Sequence, residues 1–432
     1  MREIVAETHG GEAVSIPPGG WYHAPVRRIL PIAGAASLAL LFVLPPAPLP
    51  AQIYQSAAVC MECHAEIHRT WQGSQHAGSF TDPAFQLPYD RLRRENPRKT
   101  FLCEHCHNPM RFLLPPGDPR AAIFSREGVT CDFCHSVSSV DAKGAFPRYK
   151  ARPGVKFGPH PGSSGKGPHV TQFSPLHITS EFCAGCHEFR NEHGVQILST
   201  VSEWEKSFYR GTGVHCQFCH LPELFDARFI DGKRKKGPID HSMVGGHSRE
   251  RLARAIPIHA RLVLSRAEAR VVVSVKNELV GHATPTGIPT HRLRLAATLF
   301  DAAGNAIERR EESFERIVGD GTGKPLTRPE EIFVSAREVL KDTRLQPKET
   351  REVRFSFPAG KTAPKTASVA LIYEIPTPDI APTIRYIEIP VASQVITAEA
   401  GGTRAMAVVL VAAGVLAFLV WLLFRKARAK GD

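Results

Sequence analysis

The chain has 432 residues, a formal net charge of +12 and 10 cysteines. The positive charge could indicate a nucleic-acid partner, but the sequence has no basic helix and no basic surface studded with aromatic residues, which argues against that class of protein. The basic run Lys233–Lys236 is either a solvated loop or a docking patch for an acidic partner, and charge runs are usually solvated.

The first 51 residues have the pattern of an export segment. Arg27 and Arg28 precede an apolar run, Ile29–Leu44, and Pro45–Ala51 then combines helix-breaking and small residues. This order resembles a signal peptide that is cleaved after Ala51. The long stretch before the arginines is unusual for such a peptide, so residues 1–51 are interpreted as a signal peptide or as an N-terminal signal anchor.

A Cys-x-x-Cys-His motif occurs five times and accounts for every cysteine, at Cys60/Cys63/His64, Cys103/Cys106/His107, Cys131/Cys134/His135, Cys183/Cys186/His187 and Cys216/Cys219/His220. It is the attachment sequence of c-type haem, in which both thiols bond to the porphyrin and the histidine becomes the proximal iron ligand. Paired Cys-x-x-Cys units can also hold structural zinc, but five is an odd number of half-sites. Neither zinc nor a disulfide requires the adjacent histidine. The sequence therefore predicts five covalently attached haem c groups.

Residues 52–257 contain all five motifs, many prolines and glycines, and few periodic apolar stretches. Such a segment cannot bury enough side-chain area to form an ordinary core, so we expect the apolar faces of the haems to supply it. We predict a loop-rich, mainly α domain in which each motif opens or lies within a short helix. Without haem this half should be largely unfolded, because cofactor binding energy is then folding energy.

Residues 258–395 have a different composition, without cysteine and with short β-branched or alternating runs separated by turn signals. They predict an all-β antiparallel sandwich of immunoglobulin or fibronectin type, with a spacer or packing role. The predicted strands are Arg261–Ser265, Arg270–Lys276, His291–Leu299, Ser313–Val318, Ile332–Val339, Arg351–Phe357, Ser368–Ile375 and Arg385–Ile389.

A linker, residues 396–404, is followed by Ala405–Phe424, an uncharged apolar run long enough to cross a bilayer as a single helix. The tail, residues 425–432, is basic, which places it in the cytoplasm by the positive-inside rule. Haems of this kind are attached outside the cytoplasm. We therefore expect a protein of the cell inner membrane, with its haem and β-domains facing the periplasm.

Several segments around the motifs resemble multihaem cytochromes of the cytochrome c-554 type, over residues 52–257. Trp71–Ala77 is similar to a Trp-x-x-Ser-x-His-Ala element of that family, and other similar segments are Glu127–Thr130, Ser202–Ser207, His215–Pro222 and His241–Gly246. Gly281–Gly287 resembles a Gly-His-x-x-Pro-Thr-Gly element that often follows such haem domains at the start of a β-domain.

The sixth ligand of each iron decides the function, because bis-histidine ligation makes a low-spin electron carrier and an open position makes a possible catalyst. On the basis of the resemblance, we predict the distal ligands to be His76, His169, His177, His241 and His282. His160, His193 and His247 are held in reserve. We interpret His68 as a surface residue, His105 and His215 as tethered beside their own cysteines, and His259 and His291 as strand residues.

The first cysteines of successive motifs are 43, 28, 52 and 33 residues apart, so the haems must crowd together, as sequential electron tunnelling requires. We interpret the chain as a membrane-anchored pentahaem carrier whose partners are other cytochromes or a quinol-linked membrane complex. One alternative is an oxidoreductase that acts on a small nitrogen or sulfur species at one five-coordinate haem, which the resemblance permits. Another is an adhesion module in which the haems only stabilise the fold.

Overall fold

The computed structural model describes residues 54–141, 147–162, 168–222, 239–381 and 384–398. The predicted export segment, the transmembrane helix, the basic tail and the run Lys233–Lys236 lie outside these residues. Within the described ranges, no helix combines the length and the hydrophobicity needed to cross a bilayer. The described chain changes from a mainly helical part to a mainly β-stranded part between Ala255 and Ile258.

The N-terminal part is built mainly from short helices. Those described are α1 Ala57–Met61, α2 Ala65–Gln72, α3 Pro83–Glu95, α4 Phe101–His107, α5 Ala121–Glu127, α6 Cys131–Ser136, α7 Glu181–His187, α8 Thr200–Glu205, α9 Phe208–Gly211, α10 Cys216–His220 and α11 Arg249–Ala255. Four of the five motifs lie entirely within a helix, in α4, α6, α7 and α10. For these four, the prediction that each motif opens or lies within a short helix is confirmed.

The first motif differs from this prediction at its second cysteine. Cys60 lies in α1, but Cys63 and His64 lie in the turn between α1 and α2 and belong to neither helix. The prediction of a helical position was therefore wrong for Cys63. Two helices meet at this point, and the backbone leaves helical geometry at His64, with φ −118° and ψ 44°, before α2 begins at Ala65.

Small sheets of two strands connect the helices. The strands β1 Val137–Asp141 and β2 Arg148–Ala151 are antiparallel, as are β5 Glu188–Arg190 and β6 Gln196–Ser199. The pair β3 Val155–Gly158 and β4 Val170–Phe173 is parallel. Buried apolar side chains are few in this half: one cluster joins six of them, from Tyr54 to Val137, and another joins three around Trp71. Side chains alone thus form only small cores here.

The C-terminal part consists of two antiparallel sheets. The first has the order β11-β10-β9-β13-β14 and the second β12-β8-β7. The strands are β7 Ile258–Leu264, β8 Glu268–Lys276, β9 Arg292–Phe300, β10 Ala306–Gly319, β11 Glu338–Asp342, β12 Thr350–Pro358, β13 Thr366–Ala381 and β14 Ile384–Thr397. One core of 23 buried residues joins the two sheets and includes three residues at the end of α11, namely Leu252, Ala255 and Ile256. The β-sheet-rich domain is confirmed, and its immunoglobulin or fibronectin type stays a prediction.

One predicted strand, Ile332–Val339, was wrong. Its first half belongs to a helix, α12 Pro329–Ser335, and only Glu338–Asp342 forms a strand, β11. Proline at the first helical position and two glutamates in the first turn favour helix initiation. Proline has no amide hydrogen that would need an acceptor there, and the negative glutamates interact favourably with the positive end of the helix dipole. The helix buries Ile332 against Ile197 and Phe189 of the N-terminal half.

Candidate haem-binding sites

The helical conformation of four motifs brings their attachment residues together. In a helix, residues three and four positions apart lie on one face, so both cysteines and the histidine of a Cys-x-x-Cys-His motif point to the same side. This applies to the motifs that begin at Cys103, Cys131, Cys183 and Cys216. These motifs are thus set to bind one rigid group at three points.

The first motif reaches a similar arrangement through a turn. The Cys60 carbonyl oxygen accepts hydrogen bonds from two amides, that of Cys63 at 3.2 Å and that of His64 at 2.8 Å. These bonds keep Cys63 and His64 close to Cys60 although neither lies in a helix. All ten thiols, including that of Cys63, are free and belong to partly buried residues. The helix prediction for Cys63 was therefore wrong, but Cys60, Cys63 and His64 still lie close together.

Cysteines of different motifs lie beside each other. Hydrogen bonding with Cys60 raises the pKa of Cys131, and hydrogen bonding with Cys216 raises the pKa of Cys183. A third contact of this kind joins Cys106 to Cys186. The first motif therefore adjoins the third, and the fourth adjoins both the second and the fifth.

Tyr149 joins three of the motifs at one point. Its hydroxyl lies 3.0 Å from the Cys186 Sγ, and burial, followed by the effects of Cys186, Cys106 and Cys134, raises its pKa. The thiols around Tyr149 come from the second, third and fourth motifs. Together with the direct thiol contacts, this places all five attachment sites in one continuous group.

Four of the five proximal histidines face another histidine at a similar distance. The ring centres are 6.3 Å apart for His64 and His169, 6.1 Å for His187 and His76, 6.3 Å for His135 and His241, and 6.5 Å for His220 and His282. Two metal–nitrogen bonds of about 2 Å, with about 1.1 Å from each nitrogen to its ring centre, require a separation of about 6 Å. The observed pairs therefore fit two axial imidazoles on one iron.

Hydrogen bonds orient many of these rings in one way. The Nδ1 atoms of five histidines lie against backbone carbonyl oxygens: His107 at Ser79 (2.7 Å), His135 at Phe157 (2.6 Å), His220 at Val244 (3.0 Å), His241 at Ile239 (2.7 Å) and His282 at Ala283 (2.9 Å). Donation from Nδ1–H leaves the Nε2 lone pair for a metal, which is the common arrangement of metal-binding histidines.

The protonation of the rings also suits an iron ligand. Burial, and to a smaller extent the neighbouring His187, His107 and His220, lower the pKa of His76 to about 3. Burial likewise lowers the pKa of His135 and of His220 to about 4 each. These rings are neutral near pH 7, and neutral imidazole is the form that binds metals.

Two predicted ligands compete for His135. The ring of His177 lies 5.7 Å from that of His135, closer than His241, and nearly parallel to it at 18°. However, the His177 Nε2 is 3.0 Å from the Cys134 carbonyl oxygen, and its buried Nδ1 has no hydrogen-bond partner among the described residues. His241 has its Nδ1 hydrogen-bonded to a carbonyl, which leaves its Nε2 available. Hydrogen bonding thus favours His241 as the partner of His135.

His107 differs from the other proximal histidines. Within the described part of the chain, the ring packed against it is Phe85, 4.0 Å away and 16° from parallel, and no histidine ring faces it at the distance of the other pairs. Phe85 belongs to an aromatic group on and beside α3 with Phe80 and Tyr89. The sequence predicted five distal histidines without pairing them to motifs, and among the described residues two of these lie near His135 and none lies opposite His107.

Among the described residues, the reserves His193 and His247 make no ring contact with a motif histidine like those of the four pairs. His160 and His259 are exposed, and His105 and His215 contact backbone atoms of Pro147 and Ser180. His291, directly before β9, lies 3.1 Å from the Tyr373 hydroxyl. The interpretation of His68 as a surface residue was wrong, because it is buried and its ring packs 5.3 Å from that of Trp71.

Two carboxylates that were not predicted as site residues, the partly buried Glu127 and the buried Asp132, hold the motifs in place. Glu127 accepts hydrogen bonds from the Ser56 hydroxyl, from the Ala57 amide at 3.1 Å, and from the Thr130 hydroxyl at 2.7 Å. It therefore links the start of α1 to the residue before Cys131. Asp132, inside the third motif, is paired with Lys156. Glu127 lies in a segment noted for its family resemblance, and that was the available signal.

Comparisons with known proteins agree with this geometry. Residues 59–136 match the family model described as cytochrome c554 and c-prime. The chain is similar to a penta-heme cytochrome c552 from Thermochromatium tepidum, with 26% identity and a TM-score of 0.64, over 79% of this chain and 98% of that one. A match to Bacteroides uniformis beta-glucuronidase covers 33% of this chain and 13% of that one, at 11% identity and a TM-score of 0.15, and supports no conclusion. No curated protein matches.

Proposed function

We propose that this multihaem c-type cytochrome carries five covalent haems and passes electrons along them between redox partner proteins. The match to the cytochrome c554 family and the similarity to a penta-heme cytochrome support electron transfer. One observation carries the proposal: each of four proximal histidines has a second histidine opposite it, with the ring centres 6.1–6.5 Å apart. Bis-histidine ligation is typical of electron carriers.

The residues of each site have separate tasks. The ten cysteines of the motifs attach the haems, and the five motif histidines supply the proximal ligands. We assign as distal ligands His169 to the first motif, His241 to the third, His76 to the fourth and His282 to the fifth. When bound, each haem supplies a one-electron iron couple, whose potential the protein sets through ligands, burial and hydrogen bonds.

The contacts between motifs suggest the route of the electrons. The first motif touches the third through Cys60 and Cys131, and the fourth touches the second and the fifth. Tyr149 lies where the second, third and fourth motifs meet. We propose a route from the first site through the third and fourth to the fifth, with the second site as a side branch.

The location and partners extend the proposal. The export segment and the apolar run Ala405–Phe424 support a chain anchored in the inner membrane with its haems in the periplasm. A carrier held there would exchange electrons with other cytochromes or with a quinol-linked membrane complex.

The geometry around His107 supports a second candidate function. Since no described histidine faces His107, the second site would keep a sixth coordination position free of histidine. An open position makes a haem a possible catalyst. We propose that a small nitrogen or sulfur species reacts at that sixth position, with electrons supplied through the fourth site.

Spectroscopy on the holoprotein tests both candidates. Mass spectrometry should show five haems per chain, and EPR of the oxidised protein should show four low-spin signals and one high-spin component. Stopped-flow reduction by a small donor, followed by reoxidation, should cycle all five. Haems that fail to cycle would exclude the carrier function and favour the structural role. Five low-spin signals would end the catalytic candidate.

A further inference from the structure

Glu203 lies at the contact between the haem-binding half and the β-domain. It belongs to α8, and its side chain is only 9% exposed. Three of the groups that donate hydrogen bonds to its carboxylate belong to the β-domain: the Arg344 guanidinium at 2.6 Å, the Thr286 hydroxyl at 2.9 Å and the Ala283 amide at 3.1 Å. Ser199, just before α8, donates a fourth at 2.5 Å. A carboxylate of the haem half is thus bound mainly by the other domain.

The charge of Glu203 is retained although the site is buried. Burial raises the pKa of its carboxyl, but Arg344 and the hydrogen bonds from Ser199 and Thr286 lower it by more, so that the pKa is below its ordinary value. Arg344 is itself held by Asp342 at 2.8 Å. A buried ionised pair is costly to desolvate and contributes little net stability, so its presence points to a need for a defined geometry.

Two of the groups bound to Glu203, the Ala283 amide and the Thr286 hydroxyl, belong to the loop that presents His282. The peptide unit between His282 and Ala283 is held at both ends: the Asn277 amide nitrogen donates to the His282 carbonyl at 2.9 Å, and the Ala283 amide donates to Glu203 at 3.1 Å. The His282 Nδ1 in turn lies 2.9 Å from the Ala283 carbonyl oxygen. This bonding fixes both the backbone and the ring of His282 opposite His220.

We propose that Glu203 is a positioning residue that holds His282 as the distal ligand of the fifth haem and sets the potential of that haem. The inference rests on the proposed ligation of the fifth site by His220 and His282. Residues that orient a metal-ligating histidine commonly tune the metal as strongly as they hold it. A buried anion beside the site stabilises the ferric state, which lowers the reduction potential.

Replacing Glu203 with glutamine tests the proposal without a large change of shape. E203Q removes one negative charge from the group formed by Glu203, Arg344 and Asp342, in which Asp342 still pairs with Arg344, so the ferric state of the fifth haem should lose stability. We expect a full complement of covalent haem and a roughly tenfold shift of one haem's redox equilibrium toward the reduced form, which is about 59 mV for one electron. The control is E205Q, because Glu205 lies on the same helix and is exposed, and its spectropotentiometric titration should match the wild type.

A second variant keeps the charge and removes the hydroxyl that ties the loop to α8. T286V deletes the hydrogen bonds of 2.9 Å to Glu203 and to Thr200, and it should leave the potential close to that of the wild type. It should raise the rate at which carbon monoxide displaces the distal ligand from the reduced fifth haem, because the loop is held less firmly. Wild-type potentials in E203Q together with wild-type carbon monoxide rates in T286V would overturn the role of Glu203.

The H282A variant separates this inference from the proposed function. H282A should convert the fifth haem to high spin. E203Q should shift the potential of this same haem. If H282A changes no spin state, the ligand assignment itself fails. If H282A changes one haem while E203Q shifts none, or shifts a different one, the ligand assignment stands and only the effect of Glu203 on the potential is excluded.

Discussion

The imidazole rings of His220 and His282 lie 6.5 Å apart and within 15° of parallel. His220 ends the last cysteine motif, and His282 lies in the loop between β8 and β9 of the β-domain. The β-domain therefore does more than act as the spacer that its sequence suggested, because it places a histidine opposite the histidine of the last motif. The carboxylate of Glu203 reinforces this connection from the other side.

Replacing His282 with alanine should leave five covalent haems and change the spin state of one. The attachment residues Cys216 and Cys219 are unaffected, whereas the iron loses its proposed distal nitrogen. EPR of the oxidised protein should show one low-spin signal converted to high spin. H259A is the control, since His259 is exposed on β7, and it should match the wild type. Loss of haem from H282A would contradict the assignment.

His76→Ala should have the same effect on the fourth site. The His76 ring lies 6.1 Å from that of His187, and its pKa is lowered to about 3, mainly by burial, so it remains neutral over the physiological pH range. We expect five haems by mass spectrometry and one new high-spin component. H160A serves as the control because His160 is exposed. An unchanged spectrum for H76A would show that another group ligates this iron.

Separate replacement of His241 and His177 should decide which one ligates the third site. His241 has its Nδ1 bonded to a carbonyl oxygen, whereas the Nε2 of His177 is engaged by the Cys134 carbonyl at 3.0 Å. H241A should therefore convert one haem to high spin, and H177A should leave all spin states unchanged. The reverse result would reassign the ligand to His177. Because both variants remove a histidine near His135, each is the matched control of the other.

Expression without haem should unfold one half of the protein and spare the other. The β-domain supplies 20 of the 23 buried residues of one core, whereas the clusters around Trp71 and from Tyr54 to Val137 have three and six. Cofactor binding energy is folding energy where side chains alone cannot form a core. Circular dichroism should keep its strand signal and lose helix, and limited proteolysis should remove the chain before β7. A protease-resistant N-terminal half in the haem-free chain would contradict this prediction.

Leu295→Ala should destabilise the β-domain strongly. Leu295 is fully buried between the two sheets, and removing a buried leucine side chain typically costs about 2–5 kcal/mol. Denaturant unfolding of the β-domain, followed by circular dichroism, should report a loss in this range. V395A is the control, because Val395 on β14 is 78% exposed and its truncation should change the free energy of unfolding by less than about 0.5 kcal/mol. Equal effects of the two variants would mean that the sheets do not pack in solution as they do here.

Strand prediction succeeded where side-chain alternation matched a sheet with one buried face. β9 and β13, which alternate in this way, lie close to the predicted runs His291–Leu299 and Ser368–Ile375. Prediction failed at Ile332–Val339, where a run rich in apolar residues contains both the end of a helix and the start of a strand. Short apolar runs do not distinguish the two, and the signal that did, proline followed by two glutamates, lies just before the run.

The sequence by itself indicated the attachment residues, because all three residues of each Cys-x-x-Cys-His motif fall within five consecutive positions and need only a helical turn, or the turn that holds Cys63, to converge. It also predicted five distal histidines on the basis of a family resemblance, and their ligation stays a prediction. Only the tertiary structure decided which histidine faces which, since each pair joins segments distant in the chain and a ring separation near 6 Å depends on the packing of both. The same packing places Phe85, and no described histidine, against His107.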